Sequence, residues 1–378
     1  MSQTETKKVL ALTGIRSEYD LLYPLMKLLQ DAPDFDLGVI VSGAHLTSLH
    51  YYSVGQIEKD GFRIADKIEN LLWTDTVGGK VKSIGILIQG LASVLERERP
   101  DLLIVLGDRE EVIAGAMAGT YMGIPVVHIA GGDRTDPQNG DVDEEIRHAA
   151  SKLSHLHLTM HEDHRERLIK LGEEPWRVHN VGNGGLDRLR LEPGLSRRAL
   201  AELLGDSVNG PYVLFIYHAL SSELDRCAID VNTALKVCEE LGLPVFMGAP
   251  NSDPGFAKIM EVTERYSNKP NFHLYRNLPR DAFISLLRHA RCLVGNSSLG
   301  ILEAPYLGIP AVNIGQRQRG RISANNVQFV DADEHAIRNA MNRALYDDTY
   351  RSQVTVCNPL YGDGYMAQKT VEILRQLP

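Results

Sequence analysis

The sequence predicts an α/β protein of two Rossmann-like domains facing across a cleft, their parallel sheets covered by helices on both faces. Two observations carry this. Short apolar runs alternate along the whole chain with longer amphipathic ones, as in parallel-sheet α/β units, and 378 residues are too many for one core. In the first half, strands are expected over 9–12, 37–41, 102–106, 126–129 and 157–159, and helices over 19–30, 85–98, 110–122 and 162–170. A further helix opens on the acids at 143–145. The second half repeats the logic, with strands over 213–217, 245–248, 272–275, 292–294 and 311–314 and helices over 222–241, 255–266, 281–288 and 301–307. The segment 183–211, with Glu192-Pro193-Gly194 and Asn209-Gly210-Pro211, reads as the hinge region. Domain boundaries are expected at 1–185 and 186–361. Ligands of open α/β sheets sit at the carboxyl ends of the strands, so strand tips are where chemistry belongs.

A net charge of −9 and a pI near 5.8 imply no basic face and argue against nucleic acid as the main partner. A small anionic ligand needs only a few arginines in one crevice and remains open. The four cysteines, Cys227, Cys238, Cys292 and Cys357, show no metal-like spacing and read as reduced thiols of a cytoplasmic protein. No signal peptide and no membrane span are expected.

The most informative stretch is Gly295-Asn296-Ser297-Ser298-Leu299-Gly300-Ile301-Leu302-Glu303-Ala304-Pro305, followed by Arg317 and Arg321. A strand, a small-residue turn and a helix start in succession suit a phosphate: backbone N–H groups and the helix dipole face it, Ser297 and Ser298 supply hydroxyls, and the arginines supply charge. Glu303, placed about two turns into that helix, suits ribose hydroxyls. The plainer alternative is a capped helix at a sheet edge.

Other strand tips carry candidates. Thr13-Gly14-Ile15-Arg16 is a glycine turn whose Arg16 suits a diphosphate; it is not a dinucleotide fingerprint. Gly107-Asp108-Arg109 places a carboxylate beside a guanidinium, as base and anion clamp or as a helix cap. His128-Ile129-Ala130-Gly131-Gly132-Asp133 precedes Asp143-Glu144-Glu145-Ile146-Arg147-His148, in which Asp143 and Arg147 share a helix face. His128, His148, His155 and His157 crowd this region, but zinc-like partners are lacking and core histidines are the simpler reading. His218 ends a strand and suits phosphate donation or proton transfer.

Taken together, these motifs resemble the UDP-N-acetylglucosamine 2-epimerase family, in particular the hydrolysing branch that feeds sialic-acid-type and legionaminic-type sugars. The motifs are TGIRSEYD at 13–20, SGAHL at 42–46, IEKDGF at 57–62, LGDREE at 106–111, DEEIRHAASKLSHLHL at 143–158, VGNGGLD at 181–187, GNSSLGILEAP at 295–305, NIGQRQRGR at 313–321 and NPLYGDG at 358–364. The resemblance implies a GT-B arrangement, a C-terminal helix near 362–378 packing back on the first domain, a UDP-sugar substrate, no cofactor or metal, and a homodimer or homotetramer. It also implies that Ser297, Ser298, Arg16 and Arg317 hold the diphosphate and Glu303 the ribose. His45, Arg109, Asn251, Asp253, Gly300 and Arg321 join the substrate contacts. Asp108, Asp133, Asp143 and His218 are the implied catalytic groups, with Arg147 orienting a carboxylate. The implied reaction removes the C2 proton, expels the diphosphate from C1, and hydrates the resulting glycal with reprotonation at C2.

The departures are informative. Where many members read HIEGGE this chain reads HIAGGD, so Ala130 replaces an acid and Asp133 shortens the next. Where relatives read His-Pro-x-Thr this chain has His218-Ala219-Leu220-Ser221, and Tyr51-Tyr52 is unusual. These changes suggest a sugar other than N-acetylglucosamine, such as a 2,4-diacetamido-6-deoxy hexose. A non-hydrolysing epimerase, a glycosyltransferase and a nucleotide-sugar binding protein remain the alternatives.

Overall fold

The computed structural model describes residues 6–48, 52–72, 74, 76–135, 142–251, 253–355 and 360–377. Tyr51, Cys357 and the start of NPLYGDG lie outside them. The described residues of Met1–Arg134, Val142–Arg188 and Tyr361–Pro378 form one unit, and Thr135 with those of Leu189–Leu360 the other.

The first unit is built on seven strands: β1 (Lys7–Thr13), β2 (Phe35–Ser42), β3 (Ile64–Ile68), β4 (Leu102–Leu106), β5 (Val126–Ile129), β6 (Leu156–Thr159) and β7 (Val178–Asn180). They form one sheet in the order β3-β2-β1-β4-β5-β6-β7, every pair parallel. Its helices are α1 (Arg16–Asp31), α2 (Val54–Lys59), α3 (Val77–Glu98), α4 (Glu110–Tyr121), α5 (Val142–Leu153), α6 (Glu162–Lys170) and α7 (Gly184–Leu191), the last reaching the boundary. Right-handed crossovers leaving β1 in one direction and β4 in the other put α1 and α4 on opposite faces. Accordingly α3, α4 and α5 pack side by side, and α1 packs against the C-terminal helix. Leu10, Leu103 and Val105 from the central strands meet Leu87, Leu91 and Val112 from the helices in the core. Each such burial contributes about 1.5–3 kcal/mol.

The second unit opens with α8 (Arg197–Leu204). Its six strands are β8 (Val213–Ile216), β9 (Val245–Gly248), β10 (Phe272–Tyr275), β11 (Cys292–Gly295), β12 (Ala311–Ile314) and β13 (Val327–Val330), again all parallel, in the order β10-β9-β8-β11-β12-β13. Between and after them run α9 (Cys227–Leu241), α10 (Phe256–Ser267), α11 (Arg280–His289), α12 (Leu299–Leu302), α13 (Glu334–Tyr346) and α14 (Asp348–Thr355); α15 (Met366–Gln376) belongs to the first unit. Asp187 accepts from the Met366 and Ala367 backbone N–H groups, each at 2.9 Å, and so caps α15.

Three strands escaped the sequence reading: β3, β7 and β13. Each is an edge strand whose apolar run is broken by polar residues: Asp66 and Lys67 in β3, His179 and Asn180 in β7, Gln328 in β13. The expected hinge segment is largely helical, occupied by α7 and α8. The helix expected over 301–307 is also different: α12 is one turn, and Pro305 starts a separate 3-10 turn, Ala304–Leu307. Cys227, Cys238 and Cys292 are free and buried, and burial pushes the Cys292 thiol up to about 12, leaving it inert. Among the described residues no helix is long and apolar enough to cross a membrane.

Candidate active site

In the first unit the strand order reverses between β1 and β4, so their carboxyl ends open the crevice where such sheets bind ligands. The turn after β4 carries Asp108 and Arg109. Gly107 sits at φ +90°, where a side chain would be strained, and its carbonyl accepts from His128 Nε2 at 2.8 Å. With Nε2 donating, a neutral imidazole must accept at Nδ1, and Ser151 Oγ lies 3.1 Å from it. Burial holds His128 down at about 4, so it is neutral at pH 7. A core histidine thus fixes the turn that presents Asp108.

Asp108 is in direct ion contact with Arg147 of α5. Arg147 is only 2 % exposed and also donates to the Asp133 carbonyl at 3.2 Å. Burial by itself would lower its proton affinity, but Asp108, Asp133 and Asp143 together raise it, so the guanidinium is a fixed charge beside Asp108. Asp143 opens α5 and feels the same guanidinium. The structure therefore gathers Asp108, Asp143, Arg147 and the Asp133 backbone around one point.

A second group surrounds Arg109, which lies 3.6 Å from Glu110 and 3.9 Å from Glu111. Lys80 of α3 lies 3.4 Å from Glu110, and Glu18 of α1 accepts from the Gly14 N–H at 2.9 Å. All three glutamates are buried. Burial, against the pull of Arg109, pushes the Glu18 carboxyl up to about 7. Burial, Glu110 and Glu18 push Glu111 well above the carboxylate range. Both stand in quoted motifs, but a carboxylate in the first turn of a helix reads as a partner of the helix dipole, and its burial is invisible in spacing.

In the second unit the order reverses between β8 and β11, at His218 and the Gly295 turn. Gly295 has φ +132°, and a methyl group there would stand 2.0 Å from the Ile216 carbonyl oxygen, so only glycine fits. Asn296, 2 % exposed, ties the two tips together: its Nδ2 donates to His218 O and its Oδ1 accepts from His218 N, both at 2.8 Å. His218 Nδ1 accepts from Asn251 N at 3.2 Å, which in the neutral ring leaves Nε2 as the donor. Asn251 in turn donates to the Asp253 carboxylate. Arg317 reaches the Asn296 carbonyl at 3.2 Å, and Arg321 donates to the buried Gln318 at 2.8 Å. Ser298 precedes α12 without capping it, so its hydroxyl is not spent on the helix. Asn326 braces the turn from below, donating to Gly300 O at 2.9 Å and Ile309 O at 3.1 Å. These buried amides escaped the sequence reading, because an asparagine near a turn ordinarily reads as a turn former.

Several expectations change. A four-residue α12 has little dipole, so what this turn offers an anion is its hydroxyls and Arg317 rather than a helix end. Glu303 does not lie two turns into a helix; it closes α12, 5 % exposed, at the break before Pro305. His45 is not on a binding surface. It is fully buried, with Nε2 3.1 Å from Thr13 Oγ1 and Nδ1 2.8 Å from Ser53 Oγ, and braces the β1 tip. Asp133 is 1 % exposed, its carboxylate 3.3 Å from His164 and accepting from Arg134 N at 2.8 Å, so it is packed into the wall rather than presented. Arg16 lies 3.6 Å from Asp20 at the start of α1. His157 is buried and held down at about 3 by burial, and His155 accepts from Val126 N at 3.2 Å, both as core histidines. Among the described residues no three His, Cys, Asp or Glu side chains are grouped to hold a metal.

The sequence profile of the UDP-N-acetylglucosamine 2-epimerase family matches residues 27–375. The chain belongs to that family. The epimerase is 34% identical over 372 residues to the UDP-N,N'-diacetylbacillosamine 2-epimerase (hydrolyzing) of Legionella pneumophila, covering 98% of this chain and 96% of the relative. It is 33% identical over 325 residues to the GDP/UDP-N,N'-diacetylbacillosamine 2-epimerase (hydrolyzing) of Campylobacter jejuni, covering 85% and 83% of the two chains. Its fold is that of the Neisseria meningitidis UDP-GlcNAc 2-epimerase solved bound to UDP-GlcNAc, with a TM-score of 0.82 at 20% identity over 98% of this chain and 100% of that one. The chain is thus an enzyme of the 2-epimerase type, acting on a nucleotide sugar.

Proposed function

We propose that this epimerase is hydrolysing, and that it converts UDP-N,N'-diacetylbacillosamine, a 2,4-diacetamido-2,4,6-trideoxyglucose nucleotide, into UDP and the free 2-epimer. The observation that carries the reading is the Asp108–Arg147 pair at the switch point of the first sheet, in a chain whose similar relatives are named as hydrolysing epimerases of that sugar. Asp108, held by the fixed charge of Arg147, takes the C2 proton. The diphosphate leaves C1 as its charge is met by Ser297, Ser298 and Arg317, with Nε2 of His218 as a further donor. Donors aimed at charge that develops only during reaction are worth about 2.7–4 kcal/mol each. Water then adds at C1 of the glycal while a proton returns to C2. Asp143 supports Arg147, and Glu303 accepts from the ribose. The family resemblance supports a homodimer or homotetramer, which light scattering tests.

The test offers the purified chain UDP-N-acetylglucosamine and UDP-N,N'-diacetylbacillosamine without acceptor and identifies the products. Free UDP with a free 2-epimer, faster from the diacetamido sugar, is expected. A product still carrying its nucleotide indicates a non-hydrolysing epimerase, acceptor-dependent release a transferase, and unchanged ligand a binding protein.

A further inference from the structure

We propose that Ser151 and His128 form a brace between α5 and the turn after β4 that sets Asp108 against Arg147, and that both are positioning residues for removal of the C2 proton. This rests on the reading of Asp108 as the group that takes that proton. A base must be held close to the bond it breaks, and a misplacement of about 1 Å costs about 100-fold in rate. The two members of the pair come from different elements, Asp108 from the turn after β4 and Arg147 from the second turn of α5. The ion pair joins only the ends of two side chains, so its geometry follows from how turn and helix are held against each other.

The turn is held through Gly107, the residue before Asp108. Its N–H donates to the Ile129 carbonyl at 2.9 Å and its carbonyl accepts from His128 Nε2 at 2.8 Å, so both of its polar groups are tied to β5. The helix is held through Ser151, whose Oγ lies 3.1 Å from His128 Nδ1. Ser151 stands four residues after Arg147 on the same face of α5, so a hydroxyl fixed there fixes the origin of the guanidinium about 6 Å along the axis. A carbonyl can only accept, which makes Nε2 the donor; the buried ring is neutral, so Nδ1 accepts and the Ser151 hydroxyl donates. His128 and Ser151 are 0 % and 1 % exposed, and solvent does not compete for either bond.

The glycines of the two segments make room for the brace. A methyl group on Gly131 would stand 2.9 Å from Ser151 Oγ and 3.1 Å from His128 Nδ1, the first closer than a side chain tolerates. Gly131 thus keeps open the space that the serine and the histidine share. Gly107 adopts a φ of +90°, which glycine reaches without strain.

The experiment measures kcat and KM of wild type, Ser151→Ala, His128→Asn and His128→Gln, with the sugar nucleotide carrying hydrogen or deuterium at C2, and the UDP affinity and Tm of each protein. Asparagine keeps an acceptor for Ser151 but does not reach Gly107; glutamine places an N–H near the Nε2 position and gives up Ser151. H128N is expected to lower kcat about 100-fold with KM and UDP affinity within about twofold of wild type, H128Q to recover at least about tenfold of that loss, and S151A to lower kcat about 3- to 10-fold. In each, the C2 deuterium isotope effect on kcat is at least as large as in wild type, because proton removal is the step that slows. Variants that melt lower but keep the wild-type kcat while folded make the brace a packing feature and overturn the proposal, as does a loss carried by KM or accompanied by a smaller isotope effect. S151A removes a single oxygen and decides the question where the histidine variants do not fold: a wild-type kcat in it overturns the proposal. Asp108→Asn separates the two claims. D108N with wild-type turnover fails the reading of Asp108 and this proposal with it, whereas a silent D108N beside wild-type kcat in S151A and H128N fails the proposal alone.

Discussion

Replacing Glu18 by glutamine keeps an acceptor for the Gly14 N–H, 2.9 Å from Oε2, and removes a carboxyl that burial pushes from 4.5 up to about 7. Between those two values the folded chain holds a proton that the unfolded chain has released, so wild-type stability falls as pH rises through that window and stays lowered above it. At about 1.4 kcal/mol per tenfold change in proton affinity, the full cost is ~3 kcal/mol above pH 7 and about 1 kcal/mol at pH 5. The neutral amide carries no such cost. E18Q is therefore expected to be more stable than wild type by about 1 kcal/mol at pH 5 and by about 3 kcal/mol at pH 8. Urea unfolding of both proteins at the two pH values reads the difference. A variant whose advantage does not grow with pH, or which is less stable at pH 8, refutes the claim that Glu18 is held protonated by burial.

Other perturbations follow the same geometry. Arg147→Met strands the Asp108 carboxylate and the Asp133 carbonyl, and is expected to cost about 3–5 kcal/mol of stability in urea unfolding together with turnover. Ser298→Ala and Arg317→Ala each remove a donor to the departing diphosphate, worth about 1.5–3 kcal/mol, and should raise the UDP Kd roughly 10- to 100-fold in calorimetry. An unchanged Kd in both removes the anion seat from that turn. Gly295→Ala drives a methyl group to 2.0 Å from the Ile216 carbonyl oxygen at φ +132° and should destabilise the protein by at least about 3 kcal/mol, seen as a lower Tm.

Both reversals of strand order fall where the motifs pointed, at Asp108 and at the Gly295 turn, because a glycine turn after an apolar run marks a strand tip whatever the sheet order. The central strands were legible for the same reason: buried on both faces, they read as unbroken apolar runs. Edge strands β3, β7 and β13 were not, since polar residues break their apolar runs. Spacing gives proximity along a helix but not what a side chain is buried against. The resemblance accordingly put His45 among the substrate contacts although Thr13 and Ser53 take both of its ring nitrogens, and nothing in the spacing showed that the Glu111 carboxyl fills the space above Gly14. The break at Glu303 was written in Pro305, whose ring ends the helix one turn after it begins.

The central claim is that the C2–H bond breaks and re-forms while the C1–diphosphate bond is lost. Proton NMR of the wild-type reaction with UDP-N,N'-diacetylbacillosamine in deuterated water tests it most directly, with Asp108→Asn as the silent control. Free UDP and a 2-epimerised sugar carrying deuterium at C2 are predicted. Free UDP with a sugar that keeps both its C2 proton and its configuration would show plain hydrolysis and contradict the account.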